Sequence, residues 1–200
     1  MIMKVWQHFR TITAHKILVL KGCFRVGLYK QGLLHDMSKY GPTEFWAGCK
    51  YYKGYMSPNN AERFDKGYSA AWLHHKGKNK HHLEYWIDYG IDPTNEKSEG
   101  TKMVGMKMPI NYVAEMFIDR VSASKNYQKE KYTDESSLIY YNNSKDHYIL
   151  HPDTRAMLEY LLTMLWKCGE EKTFTFVKEE LLKGKVPYDK TELDMRKNAL

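Results

Sequence analysis

At 200 residues the chain is long enough for one domain with a substantial core, or one domain with a small appendage. Apolar residues are spread along it, and the longest aliphatic run, Ile17-Leu18-Val19-Leu20, is far too short to cross a bilayer. The 31 basic and 24 acidic residues give a formal net charge of +7, which favours anionic partners such as phosphorylated small molecules, nucleic acid or a membrane surface. A charge of this size is equally compatible with a solvated lysine-rich surface, and no arginine-rich block or nucleic-acid motif appears. Lys4, His8 and Arg10 are followed by no long apolar stretch and no small-residue cleavage site, so no secretion signal is read and a cytoplasmic protein is expected. Cys23, Cys49 and Cys168 are odd in number and widely separated; without a Cys-x-x-Cys pair they read as buried filler rather than a zinc knuckle or disulfide framework.

In chain order, residues 4–30 read as one long helix, with Val5, Phe9, Ile12, Val19, Cys23 and Val26 on one stripe and no proline. A short helical piece carries Leu33-Leu34-His35-Asp36-Met37 and stops at Gly41-Pro42. Pro42 suits the first turn of the next helix, which holds Phe45, Trp46, Cys49 and Tyr52 and ends at Gly54. Asn60 is a plausible cap for a helix reaching about residue 75, weakened by Gly77 and Asn79, and a further helical piece is expected over 81–89. Residues 92–108, with Pro93 and two glycines, read as a mobile loop over a site. Pro109 opens a helix with Val113, Met116, Phe117 and Val121 in period. The tyrosine-rich stretch 128–152 is left unassigned. Asp153 is expected to cap an amphipathic helix bearing Met157, Leu158, Leu161, Leu162 and Leu165, a last helix spans about 175–182, and the polar tail beyond Pro187 is expected to fray. With no useful strand pattern and no repeat, the fold class is all-α. The expected organisation is a helical core over 1–130, with a helical extension over 131–200 packed on the same domain.

Seven of the nine histidines precede residue 83. His15, three after Ile12 and four before Val19, points inward from the first helix, either as a core histidine or as a ligand. His35-Asp36 places an imidazole beside a carboxylate in an apolar setting. Burying that carboxylate is expensive unless a cation or several donors meet it. A divalent metal would do so, and so would Lys39. Asp119 follows Glu115 by four and Met116 by three, bordering the apolar face of its helix, where pairing with helical neighbours is the simpler explanation.

The order His15, then Leu33-Leu34-His35-Asp36-Met37-Ser38-Lys39, then Asp119-Arg120 resembles the signature of the HD-domain metal-dependent phosphohydrolase superfamily. The central stretch is similar to that family's apolar-apolar-His-Asp-apolar-small-Lys run, and the likeness covers roughly residues 10–125. It implies an HD-like helical bundle in which His15, His35, Asp36 and Asp119 hold a first or shared metal. Many members bind a second metal through histidines lying between the His-Asp pair and the last Asp. Here that interval holds His74-His75 and His81-His82. Seven residues is closer than such ligands usually stand, so a turn at Gly77–Asn79 has to bring them together. His75 and His82 are the preferred pair, with His81 next. Alternatively, Lys76, Lys78, Lys80 and these histidines form a basic patch that grips phosphate.

The resemblance implies one or two divalent ions per chain (Mn, Fe, Co or Zn), a phosphoryl oxygen polarised by metal, and a bound water made acidic enough to attack phosphorus. Lys39 would meet the phosphate as a point charge and His74 would shuttle a proton to the leaving group. The expected substrate is a nucleotide or another small phosphate ester. Two other readings remain: a di-iron oxygenase or peroxide-consuming enzyme on the same ligands, and a non-enzymatic basic helical module binding nucleic acid or protein. No membrane partner is expected, and a homo-oligomer is compatible with the chain.

Overall fold

The stripe along the first helix does what its period requires: Ile12, His15, Val19, Cys23 and Val26 are buried along α1 (Ile2–Val26). The computed structural model describes residues 2–90 and 102–200 and is all-α, apart from one small hairpin. Alpha-helix α1 packs along α6 (Ile110–Gln128), α6 packs on α8 (Pro152–Cys168), and α10 (Lys190–Asn198) packs on α8. One buried cluster joins Val19 and Cys23 of α1, Val113, Phe117 and Val121 of α6, Met157, Leu161 and Leu165 of α8, and Leu193 of α10. Residues from both sides of position 130 therefore share one core.

The α1–α6 contact sets the spacing of the site, because His15 and Asp119 face each other across it. Gly22 makes that approach possible: a Cβ there would lie 2.6 Å from Ile118 Cγ2. Gly22→Ala gains at most about 1 kcal/mol of helix propensity but overpacks a buried contact, which costs about 1–3 kcal/mol. Net destabilisation is expected in urea unfolding; a stabilised variant would show that the two helices separate easily.

Several boundaries differ from the sequence reading. The first helix stops at Val26 because Gly27 turns the chain at φ 86°, and α2 (Tyr29–Leu34) follows as a separate element. His35 is extended and Asp36 left-handed before a 3₁₀ turn at Met37–Tyr40, so the His-Asp pair lies on a turn rather than in a helix. The helix expected from Asn60 is two: α4 (Pro58–Lys66), opened by Pro58 and closed at Gly67, and α5 (Ala70–Lys78), capped by the Ser69 hydroxyl, which accepts from the Trp72 amide. Between α2 and α4 lies α3 (Pro42–Tyr51).

After His82, only Leu83–Trp86 is helical, as a 3₁₀ turn. The chain then forms β1 (Ile87–Gly90), antiparallel to β2 (Lys102–Gly105), with Ile87 opposite Gly105. At four residues each, these strands are too short to give an alternation to read. Most of the loop expected over 92–108 lies outside the described residues. The unassigned stretch contains α7 (Ser136–Asn142). His151, not Asp153, caps α8, accepting from the Asp153 amide. The next helix starts earlier than expected, as α9 (Glu170–Phe176), and widens into a π turn over Val177–Leu181. The tail is held by α10, whose Leu193 is fully buried.

Candidate metal centre

Four elements converge on one carboxylate. Asp36 sits at φ 54°, ψ 24°, a left-handed conformation that Asp tolerates better than most residues but which still carries strain. The turn is pinned on both sides: the Lys39 amide donates to the Asp36 carbonyl at 3.0 Å, and the Lys16 ammonium donates to the Leu33 and His35 carbonyls. Helix α5 is oriented by Glu62, which accepts from the Ser69 hydroxyl and the Ala71 amide. Asn79 donates to the His75 carbonyl and to Ser38 Oγ, turning the chain so that His81 and His82 come back beside His75.

The two oxygens of Asp36 face two different groups of side chains. Its Oδ2 lies 3.3 Å from His35 Nε2 and 3.9 Å from His15 Nε2. Asp119 Oδ1 completes that group, 2.9 Å from His15 Nε2 and 3.5 Å from His35 Nε2. Asp36 Oδ1, in turn, lies 3.2 Å from His75 Nε2 and 3.4 Å from His81 Nε2, and His82 Nε2 is 2.8 Å from His75 Nε2. His15, His35, Asp36 and Asp119 form one four-ligand group, and Asp36, His75, His81 and His82 form another.

The far nitrogens are held by carboxylates. Glu115 Oε1 accepts from His35 Nδ1 at 2.9 Å and approaches His81 Nδ1 at 3.2 Å, while Glu44 Oε2 lies 2.7 Å from His75 Nδ1. An Nδ1–H donated to a carboxylate fixes the tautomer that leaves Nε2 as a bare lone pair, the usual arrangement behind a ligating histidine. The triplet His35, His81 and Glu115 is also closely spaced, but this back-bonding accounts for it. Gln31 Nε2 holds the other Glu115 oxygen at 2.8 Å.

Both Asp36 oxygens, His35 Nε2 and His81 Nε2 are buried and have no hydrogen-bond partner. Lys39 Nζ lies 2.5 Å from Asp36 Oδ2, yet neither it nor the imidazoles approach with hydrogen-bond directionality. A buried orphan polar atom costs about 1–3 kcal/mol, and more when charged. These atoms fall between the two groups, Asp36 Oδ2 with His35 Nε2 and Asp36 Oδ1 with His81 Nε2; they fit divalent cations, and imidazole with carboxylate is a donor set for Mn, Fe, Co or Zn.

The electrostatics agree. Burial pushes the Asp36 carboxyl upward, but His35, Lys39 and His75 outweigh it and hold it well below its ordinary value. Asp119 is likewise held well down against its burial by His15 and His35, and Glu115, also pushed up by burial, is brought down to about 2 by His35 and His81. His35 is raised well above the ordinary imidazole range, its burial overcome by Asp36, Asp119 and Glu115. Burial drives His15 down, as it does His82, where the neighbouring His81 and His75 add to the effect. Anionic charge thus favours a cation among these rings, a proton or a metal, and a metal is the cation that every Nε2 lone pair can share.

Of the residues singled out in the sequence, His15, His35, Asp36, His75, His81, His82 and Asp119 come together. His74 does not join either group: it is half-buried, with Nδ1 2.6 Å from Glu44 Oε1. Lys39 stands against Asp36 rather than free. Glu44 and Glu115, buried at 6% and 4% exposure, were missed. Glu115 had a signal, a carboxylate inside the apolar run Val113–Ile118 and four residues before Asp119. Glu44, in the first turn of α3, reads as an ordinary helix-start acid.

Residues 4–164 match a family of unknown function, DUF5662, and the chain belongs to that family. Every residue of the two ligand groups lies inside the matched span, whereas α9 and α10 lie beyond it. No curated protein and no solved structure matches the chain.

Proposed function

We propose that this DUF5662 protein is a binuclear metal-dependent phosphohydrolase acting on a small phosphate ester, built on an HD-like arrangement of ligands. The observation that carries the reading is Asp36, whose two oxygens serve two four-ligand groups at once. His15, His35, Asp36 and Asp119 would hold one ion, and Asp36, His75, His81 and His82 the other. Divalent ions so held supply Lewis acidity toward a phosphoryl oxygen and make water a usable nucleophile near neutral pH.

The remaining work falls to the chain. Glu115 and Glu44 keep the Nδ1 protons in place and the Nε2 lone pairs inward. Lys39, its charge favoured by Asp36 and Asp119 in spite of burial, would meet a substrate phosphate once Asp36 is otherwise neutralised. His74, tied to Glu44 through Nδ1, would relay a proton only along that carboxylate. The formal charge of +7 suits an anionic substrate. No helix among the described residues is long and apolar enough to cross a membrane.

Protein purified without chelator should contain about two divalent ions per chain and release phosphate from phosphomonoesters, with both lost on chelation. Iron as the retained metal, with turnover of dioxygen or peroxide and no phosphate release, would transfer the centre to oxygen chemistry. No retained metal after incubation with Mn²⁺, Fe²⁺ or Zn²⁺ would remove the enzymatic reading.

A further inference from the structure

Beside the metal centre lies a small cavity of about 90 Å³ between α1, α3 and the segment before α4. Lys39 and Glu44 line it, and these side chains also touch the ligand groups, Lys39 at Asp36 and Glu44 at His75. The cavity therefore adjoins the centre through residues that already serve it.

Its polar groups are of mixed kind. The Thr11 hydroxyl is 2.9 Å from the Gln7 carbonyl, which can only accept, so Thr11 donates there. The 3.0 Å contact between Thr11 and Tyr52 must then run from the Tyr52 hydroxyl to Thr11 Oγ1, leaving the Tyr52 oxygen with acceptor capacity toward the cavity. Lys39 has N–H groups beyond the one facing Asp36. His8, 6% exposed, lines the same space, and its Nδ1 has no partner. Burial, with Lys39 nearby, lowers His8 to about 4, so it serves as a neutral imidazole. A fragment that both donates and accepts satisfies this set, whereas an apolar group or a second anion does not.

Size narrows the class. Ligand pockets for drug-sized molecules run from about 300 to 1,000 Å³, and at about 90 Å³ this cavity is far smaller. A three-carbon fragment with two or three hydroxyls is of that size; a ribose carrying a base is not.

We infer that this cavity is the specificity pocket of the centre and receives the hydroxylated tail of a small polyol phosphate, which makes nucleotides poor substrates. The inference rests on the phosphohydrolase reading for the phosphate end of the ligand, but the pocket is tested separately by binding. Gly48 supplies one variant: a Cβ there would lie 2.2 Å from His8 Nε2, so Gly48→Ala forces the His8 ring, which lines the cavity, out of its place. Tyr52→Phe supplies a gentler one, removing the free acceptor at constant shape.

The probes are non-hydrolysable phosphonates titrated calorimetrically into the Mn²⁺-loaded protein: methylphosphonate, the phosphonate analogue of glycerol phosphate, and a nucleoside phosphonate. The glycerol analogue should bind at least about tenfold more tightly than methylphosphonate, the effect of one or two well-placed hydrogen bonds. The nucleoside phosphonate should gain nothing over methylphosphonate. Both variants should bring the glycerol analogue down toward methylphosphonate. Tighter binding of the nucleoside compound, no measurable binding of the glycerol analogue, or an undiminished preference in both variants would overturn the pocket. The expected order of binding with no phosphate release from any ester would leave the pocket standing and overturn the hydrolytic reading instead.

Discussion

Asp36→Asn is expected to remove both metals at once, whereas Asp119→Asn should remove one. Asn is nearly the same shape as Asp and also tolerates the left-handed backbone found here, so the turn should persist. What disappears is the charge that faces His15 and His35 through one oxygen and His75 and His81 through the other. Metal content should fall from about two per chain to well under one for Asp36→Asn and to about one for Asp119→Asn. Phosphate release should fall at least about 10³-fold in the Asp36 variant, since groups acting as a unit fail together.

Stability supplies an independent readout of the same change. A metal present at a hundredfold its Kd stabilises the folded state by about 2.7 kcal/mol per site, or about 5–10 °C in Tm for a chain of this length. Chelation should therefore lower the wild-type Tm by at least that much and leave Asp36→Asn nearly unmoved. An Asp36→Asn protein that retains two metals would refute the bridging role. One that keeps a single metal would show that the two groups are independent sites that happen to adjoin.

What the sequence made legible was which side chains carried on periodic elements would meet. His15 could be placed because α1 is long, unbroken and striped, so its facing follows from spacing alone. Asp119 was placed by the same rule on α6; Asp36 is buried as its cost implied, but Leu33, Leu34 and Met37 beside it are exposed, and it is histidines and Lys39 that surround it. The seven-residue interval between the two histidine pairs was not legible. His75 lies on α5, but His81 and His82 lie on an extended turn whose course is set by Asn79 donating to Ser38 and to the His75 carbonyl. Nothing in helical periodicity foretells such a long-range bond. For the same reason the 3₁₀ turn and the first strand after His82 read as helix, and the second strand, Lys102–Gly105, read as loop. Glu44 escaped because its role depends on α3 packing against α5, a tertiary fact. Glu115 was open to notice, and its signal was the company it keeps: a carboxylate between Ala114 and Met116 needs a partner in the core.

That position makes Glu115 the second site of large expected effect, and its effect should differ from that of Glu44. Glu115 Oε1 faces the Nδ1 atoms of His35 and His81, one ring from each ligand group, and its other oxygen is fixed by Gln31. Glu44 serves only His75 among the ligands. Carboxylates behind ligating histidines typically change metal affinity by about 10–100-fold when replaced. Glu115→Gln keeps the volume but offers at most one carbonyl oxygen, and its amide end points a donor where a donor already stands. Affinity should therefore fall about 10–100-fold for both metals in Glu115→Gln, and by that factor for only one in Glu44→Gln. Competitive titration against a chelator of known affinity separates the two cases, because Glu44→Gln should show one wild-type step and one weakened step. Two weakened steps from Glu44→Gln would mean that the groups communicate through Asp36. An unaltered Glu115→Gln would mean that His35 and His81 are oriented by packing alone, and that the buried carboxylate serves the core rather than the metals.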